Sequence, residues 1–218
     1  MAVTMEMIKE LRERTGAGVV DCKKVLSEMN GDVDKAAAEL QKRGIAKAAK
    51  KAGRIAAEGL IGNYVHDGGR IAVLIEVNCE TDFVARGDDF KGICEDVAMQ
   101  VAAMNPLYVQ QDEIPQADVK AQEDIFTAQV VKEGKPENIA PKIVAGKMAK
   151  WKKENCLLDQ PFVKNDDVTI GELATQLSAK TGEKITVRRF VRFEVGEGLA
   201  KRENDLAAEV AELQQQSS

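Results

Sequence analysis

The apolar run Ile71-Ala-Val-Leu-Ile-Glu-Val77 is followed, past a polar stretch, by an apolar pattern of a different period. Beyond Asp89, the residues Phe90, Ile93, Cys94, Val97, Ala98 and Val101 recur at i, i+3, i+4 spacing. The first pattern is that of a mostly buried strand and the second that of an amphipathic helix. Residues 78–89, Asn-Cys-Glu-Thr-Asp-Phe-Val-Ala-Arg-Gly-Asp-Asp, therefore sit where a strand hands over to a helix. Thr81 or Asp82 there can cap unpaired helix N–H groups, and a carboxylate suits the positive end of the helix dipole. Capping accounts for Thr81 and Asp82 without any function. It does not account for Phe83, an apolar residue beside a cap where solvent is close.

The same reading of periods divides the rest of the chain. Residues 4–14, 19–29 and 32–43 read as three short helices. They are broken at Thr15-Gly-Ala-Gly18 and Asn30-Gly31, with Asp32 as an N-cap. Lys42 to Arg54 reads as a solvated helical linker. Strands near 59–66 and 70–78 flank Asp67-Gly-Gly69 as a hairpin. A helix spans about 88–104 and ends before Pro106. Residues 117–133 and 136–155 form a helical hairpin, with Pro136 suited to a first turn and Ile125, Phe126, Ile139, Ile143, Met148 and Trp151 between the helices. Thr169-Ile-Gly-Glu172 is a capping box opening a helix that Gly182 stops. Ile185, Val187, Val191, Phe193 and Val195 alternate as a closing strand, and Glu203 to Leu213 is a short acidic helix. The class is α+β: a three-helix docking domain and linker (1–54), a core of small antiparallel sheet and helices (55–198) and a helical module (199–218).

Composition excludes several functions. The 218 residues carry a net charge of −5, with a basic amino-terminal quarter on an acidic body. One Trp, two Tyr and six Phe are too few for the stacking platforms of single-strand binders. The lysines at 147, 150, 152 and 153 suit the negative end of a helix, a simpler account than RNA. A single histidine and four scattered cysteines without a C-x-x-C pair argue against zinc, so no cofactor or metal is expected. The cysteines read as reduced, partly buried apolar residues of a cytoplasmic protein, with an intersubunit bridge as the minor alternative. No apolar run approaches a membrane span, and no signal pattern opens the chain. Thr15-Gly-Ala-Gly18 lacks a preceding strand and the G-x-x-x-x-G-K spacing, so it is no phosphate loop.

Three strings together carry a family likeness. Glu76-Val-Asn-Cys-Glu-Thr-Asp-Phe-Val-Ala-Arg86 resembles the central signature of translation elongation factor Ts. Leu11-Arg-Glu-Arg-Thr-Gly-Ala-Gly-Val-Val-Asp-Cys-Lys-Lys24 resembles that family's amino-terminal signature, and Arg192-Phe-Glu-Val-Gly-Glu-Gly198 is similar to a third. The resemblance implies a ubiquitin-associated-like head and guanine nucleotide exchange on GDP-bound elongation factor Tu, without enzymatic chemistry. It implies that Thr81, Asp82, Phe83 and Val84 present an aromatic wedge beside the partner's nucleotide site, displacing elements that hold magnesium and phosphate. It further implies partner contacts by Arg12, by Val19 and Val20 (one in contact, the other core) and by His66 at the hairpin tip. From the residues alone, Phe83 also reads as core and His66 as an ordinary turn residue. A single copy of the sheet core marks the short form. Sheet edges left unpaired by the missing second copy suggest a homodimer through the core and a two-plus-two complex, with Val73, Ile75, Val191 and Phe193 facing the joint core or interface. The rival function is a helical adaptor for polypeptide or ubiquitin-like surfaces. Nucleic acid and membrane are not expected partners.

Overall fold

The computed structural model describes residues 3–15, 17–51 and 53–199. The expected carboxyl-terminal helix at 203–213 lies outside them. The head is built from α1 (Met5–Thr15), α2 (Val19–Glu28) and α3 (Val33–Ala49). Its turn at Asn30 and Gly31 takes positive φ, and the Lys35 N–H donates to Asp32 Oδ1 at 3.0 Å, so Asp32 is the cap of α3. Ile8, Leu11, Cys22, Val25, Leu26, Ala36 and Leu40 form a core of the head's own.

The linker departs from expectation. Helix α3 continues to Ala49 and lies against α8 (Ile170–Thr181), where a Cβ on Gly44 would come within 3.1 Å of the Ala179 Cβ. Lys51 is buried, and its ammonium donates to the Ser178 carbonyl at 3.0 Å. A lysine-rich composition reads as solvated because the charge is counted. A long aliphatic stem can nevertheless lie along a surface and spend its charge on a carbonyl.

The body centres on a sheet of order β1-β2-β5: β1 (Glu58–Val65), β2 (Ile71–Cys79) and β5 (Thr186–Glu194), all antiparallel. Val73, Ile75, Val77 and Cys79 of β2 point into the core. They meet Phe90, Ile93, Cys94, Val97, Ala98 and Val101 of α5 (Asp88–Met104) and Ile170, Ala174 and Leu177 of α8. Gly62 is required by this contact, since a Cβ there would sit 2.9 Å from the Cys94 Cβ. The capping box of α8 forms as expected, Glu172 N–H donating to Thr169 Oγ1 at 3.2 Å and Thr169 N–H to Glu172 Oε2 at 2.8 Å.

The closing strand does not keep one face. Its register against β2 slips at Glu76/Val77, so Arg189 stands opposite Glu76 while Val187 stands opposite Val77. A one-residue slip exchanges faces. Ile185 and Val187 are therefore buried, whereas Val191, Phe193 and Val195 are exposed on the sheet's other side.

The helical hairpin forms from α6 (Gln116–Lys132) and α7 (Ala140–Asn155), packed through Val130, Val144 and Met148 with Phe126, Ile143 and Trp151 half-buried around them. Ile125 and Ile139 are exposed, contrary to expectation. Residues 136–139 form a turn closed by the Ile139 N–H on the Pro136 carbonyl. Pro141, not Pro136, takes the first helical turn. A short hairpin of β3 (Pro161–Phe162) and β4 (Asn165–Thr169) has no alternating signal. It is held instead by the buried Gln100 of α5, which accepts from Val163 N–H at 2.9 Å and donates to the Pro161 carbonyl at 3.1 Å. Among the described residues no helix is long and apolar enough to cross a membrane.

Two solution measurements follow from this packing. Arg188 and Arg189 both donate to the Glu76 carboxylate, at 2.8 and 2.6 Å, and hold its pKa down to about 2. A depressed carboxyl stabilises above its unfolded value and loses that contribution as pH falls through the folded one. The gap between the unfolding midpoints of the wild type and Glu76→Gln will therefore narrow from about pH 4.3, the ordinary glutamate value, downward. All four cysteines are buried free thiols, and burial raises Cys22 and Cys79, Cys156 to about 11 and Cys94 to about 12. A chromogenic disulfide reagent at mildly alkaline pH will find them slow in the native protein and all reactive once it is unfolded.

Candidate partner-binding site

Strand β2 does not pass directly into α5. Between them stands α4 (Asp82–Ala85), a single turn, and it is this turn that Thr81 caps, its Oγ1 accepting from the Val84 N–H at 3.4 Å. Gly87 then ends the turn, its N–H donating to the Val84 carbonyl at 3.0 Å, and serves as N-cap of α5. The sequence shows one helix start where the structure has two, because a four-residue helix is too short to register a period.

The turn is anchored from one side. Ala85 is buried, Val84 is half-buried against the main core, and the buried Cys79 thiol donates to the Thr81 carbonyl at 3.1 Å. The opposite side carries Phe83, 83% exposed, and Asp82, whose carboxylate meets the Arg86 guanidinium at 2.8 Å. A single exposed hydrophobic residue is ordinary on a protein surface. An exposed phenylalanine on a turn fixed by its two following residues is a side chain held outward by its scaffold. The core reading of Phe83 is thereby excluded for this chain.

Two carboxylates that sequence reasoning missed tie the turn to the loop after α8. Glu183 Oε2 accepts from the Glu80 and Thr81 N–H groups, each at 3.0 Å, and Glu183 Oε1 accepts from the Thr81 hydroxyl at 2.6 Å. Glu80 in turn accepts from the Lys184 N–H at 2.7 Å and from Arg54 at 3.2 Å, and these donors lower its pKa, Lys184 foremost. More than a hundred residues separate Glu183 and Lys184 from Glu80 and Thr81 in sequence, and no periodicity reports such a contact.

The remaining expected residues lie apart. His66 is exposed at the hairpin tip, its Nδ1 3.2 Å from the Tyr64 hydroxyl. The tip and Phe83 occupy opposite ends of β2, about 26 Å apart at ~3.3 Å per residue. Arg12 is exposed on α1. Val19 and Val20 are both exposed, 46% and 80%, so neither is core. The inward stripe of α2 runs through Cys22, Val25 and Leu26, and Val19 lies at its margin while Val20 lies off it.

The profile of the family described as Elongation factor TS matches residues 6–197. The chain is 58% identical over 208 residues to an elongation factor Ts of Heliobacterium modesticaldum, covering 95% of this chain and 97% of the relative. It is 56% identical over 209 residues to that of Carboxydothermus hydrogenoformans, covering 96% of each. With that of Alkaliphilus oremlandii it shares 52% identity over 217 residues, covering 100% of each. A profile spanning the head, the Phe83 turn and the closing strand, with relatives matched from end to end, places the chain in the elongation factor Ts family, whose members are translation elongation factors.

Proposed function

We propose that the chain acts as a guanine nucleotide exchange factor on elongation factor Tu, with Phe83 as the wedge that enters beside the bound GDP. The observation that carries this reading is Phe83 itself, an aromatic ring 83% exposed on a one-turn helix fixed at both ends. Ring insertion displaces the partner elements that hold magnesium and phosphate, and GDP leaves. Thr81 and Val84 hold the turn, and Asp82 presents a carboxylate beside the ring. Linkage makes the effect mutual: the factor by which the chain weakens GDP is the factor by which GDP weakens the chain. The chain supplies binding energy and no chemical step, so it is not an enzyme in this reading, and its place is the cytoplasm.

The head, with its separate core, acts as the docking unit through Arg12, Val19 and Val20, and His66 meets the partner at the far end of the sheet. The outer face of the sheet pairs with that of a second copy, giving a homodimer and a two-plus-two complex. The test is release of fluorescent GDP from elongation factor Tu with and without the chain. Acceleration that saturates with chain concentration supports exchange, and an unchanged rate at saturating protein sinks it.

A further inference from the structure

We infer that Glu183 is a positioning residue for the Phe83 wedge, its carboxylate fixing the turn from which the ring projects. This rests on the exchange reading above and names a residue through which it operates. Three donors converge on one carboxylate: the N–H groups of Glu80 and Thr81 on Oε2, and the Thr81 hydroxyl on Oε1. The hydroxyl proton is thereby committed to Glu183, which leaves the lone pairs of Thr81 Oγ1 for the Val84 N–H. Glu183 thus sets the cap, and the cap sets the helical turn that carries Phe83.

The carboxylate is itself aimed. Gly182 ends α8 at φ 79°, the Glu183 N–H donates to Thr181 Oγ1 at 3.3 Å, and the Ser178 hydroxyl donates to the Glu183 carbonyl at 2.6 Å. Helix α8 is seated in the main core, so this mount does not move with the turn. A carboxylate just past a helix carboxyl end opposes the helix dipole. The stability of α8 does not explain a glutamate at this position, whereas the three donors of the Phe83 junction do. A wedge that is ordered before it meets its partner spares the cost of ordering it on binding.

The test uses the full chain and fluorescent GDP release from elongation factor Tu over a concentration series, for wild type, Glu183→Ala, Glu183→Gln, Phe83→Ala and the Glu183→Ala/Phe83→Ala double variant. Glu183→Ala will lower the maximal release rate about tenfold while the half-saturating concentration, set by docking elsewhere, moves by less than about twofold. Glu183→Gln keeps one oxygen for the two N–H groups and will fall between. In the Phe83→Ala background, Glu183→Ala will change the rate by less than about twofold, because there is no ring left to position. Amide exchange at Glu80 and Thr81 will quicken in Glu183→Ala while that of β2 and α5 stays slow. A wild-type maximal rate in Glu183→Ala beside a slow Phe83→Ala overturns the positioning role and leaves the wedge. Equal effects of Glu183→Ala in both backgrounds, or loss of amide protection throughout β2 and α5, overturn it as well. A wild-type rate in Phe83→Ala overturns the wedge reading and this inference together.

Discussion

Phe83→Ala will leave the protein as stable as the wild type and slow stimulated GDP release roughly thirtyfold or more, the counterpart of losing ~2 kcal/mol at an aromatic anchor. The two halves of this expectation come from one number, the 83% exposure of the ring. A side chain that buries little in its own fold has little to lose there on truncation. Phe90, seven residues on, supplies the contrast. It is 1% exposed and is the largest fully buried side chain among the described residues. Phe90→Ala will cost about 3–5 kcal/mol of stability through lost contacts and a cavity. Denaturant unfolding of both variants, beside GDP release, separates the roles. An unfolding midpoint for Phe83→Ala that falls with that of Phe90→Ala would show Phe83 to be structural.

The same pair shows what the sequence made legible. Phe90 is recognisable as core because Ile93, Cys94 and Val97 follow it at helical spacing, and a period is a statement about a face. The head helices, the hairpin, α5 and the capped start of α8 are readable for that reason or from caps and glycines. Phe83 has no period to belong to. Its turn is four residues long, and its exposure follows from Ala85 and Val84 taking the inward side. Features that rest on contacts between distant elements carry no local signal. The β3–β4 hairpin depends on Gln100 from another element, and the buried Lys51 on a carbonyl of α8. The clasp of Glu183 on Thr81 is likewise invisible until the chain has folded. The closing strand departs from its own alternation. Val191, Phe193 and Val195 have the alternation of a strand with one buried face, yet the slip opposite Glu76 turns them outward. Alternation counts residues, and a bulge adds one without a mark in composition.

That slip creates the feature on which the largest assembly effect rests. The register sets Leu74 between Asn63 and Val191, and Ala72 between Val65 and Phe193. Ile61, Val65, Leu74, Val191, Phe193 and Val195, between 41% and 66% exposed, therefore share the face opposite α5. Glu76, Arg188 and Arg189 form a charged border on one side of it. An apolar face bounded by charge on a three-stranded sheet has the anatomy of an interface core and rim. In the homodimer proposed above, a second copy would match it, because a two-fold axis through the face sets apolar rows on apolar rows and each charged border at the edge. Phe193→Asp or Leu74→Asp then sets an unpaired carboxylate near the axis, twice over. Desolvating it costs several kcal/mol per ion, which weakens the dimer at least ~100-fold. Both side chains are exposed in the single chain, so neither substitution will unfold it. Light scattering at micromolar protein will give the mass of two chains for the wild type and of one for either variant. A wild-type mass of one chain refutes the dimer and leaves exchange at Phe83 standing.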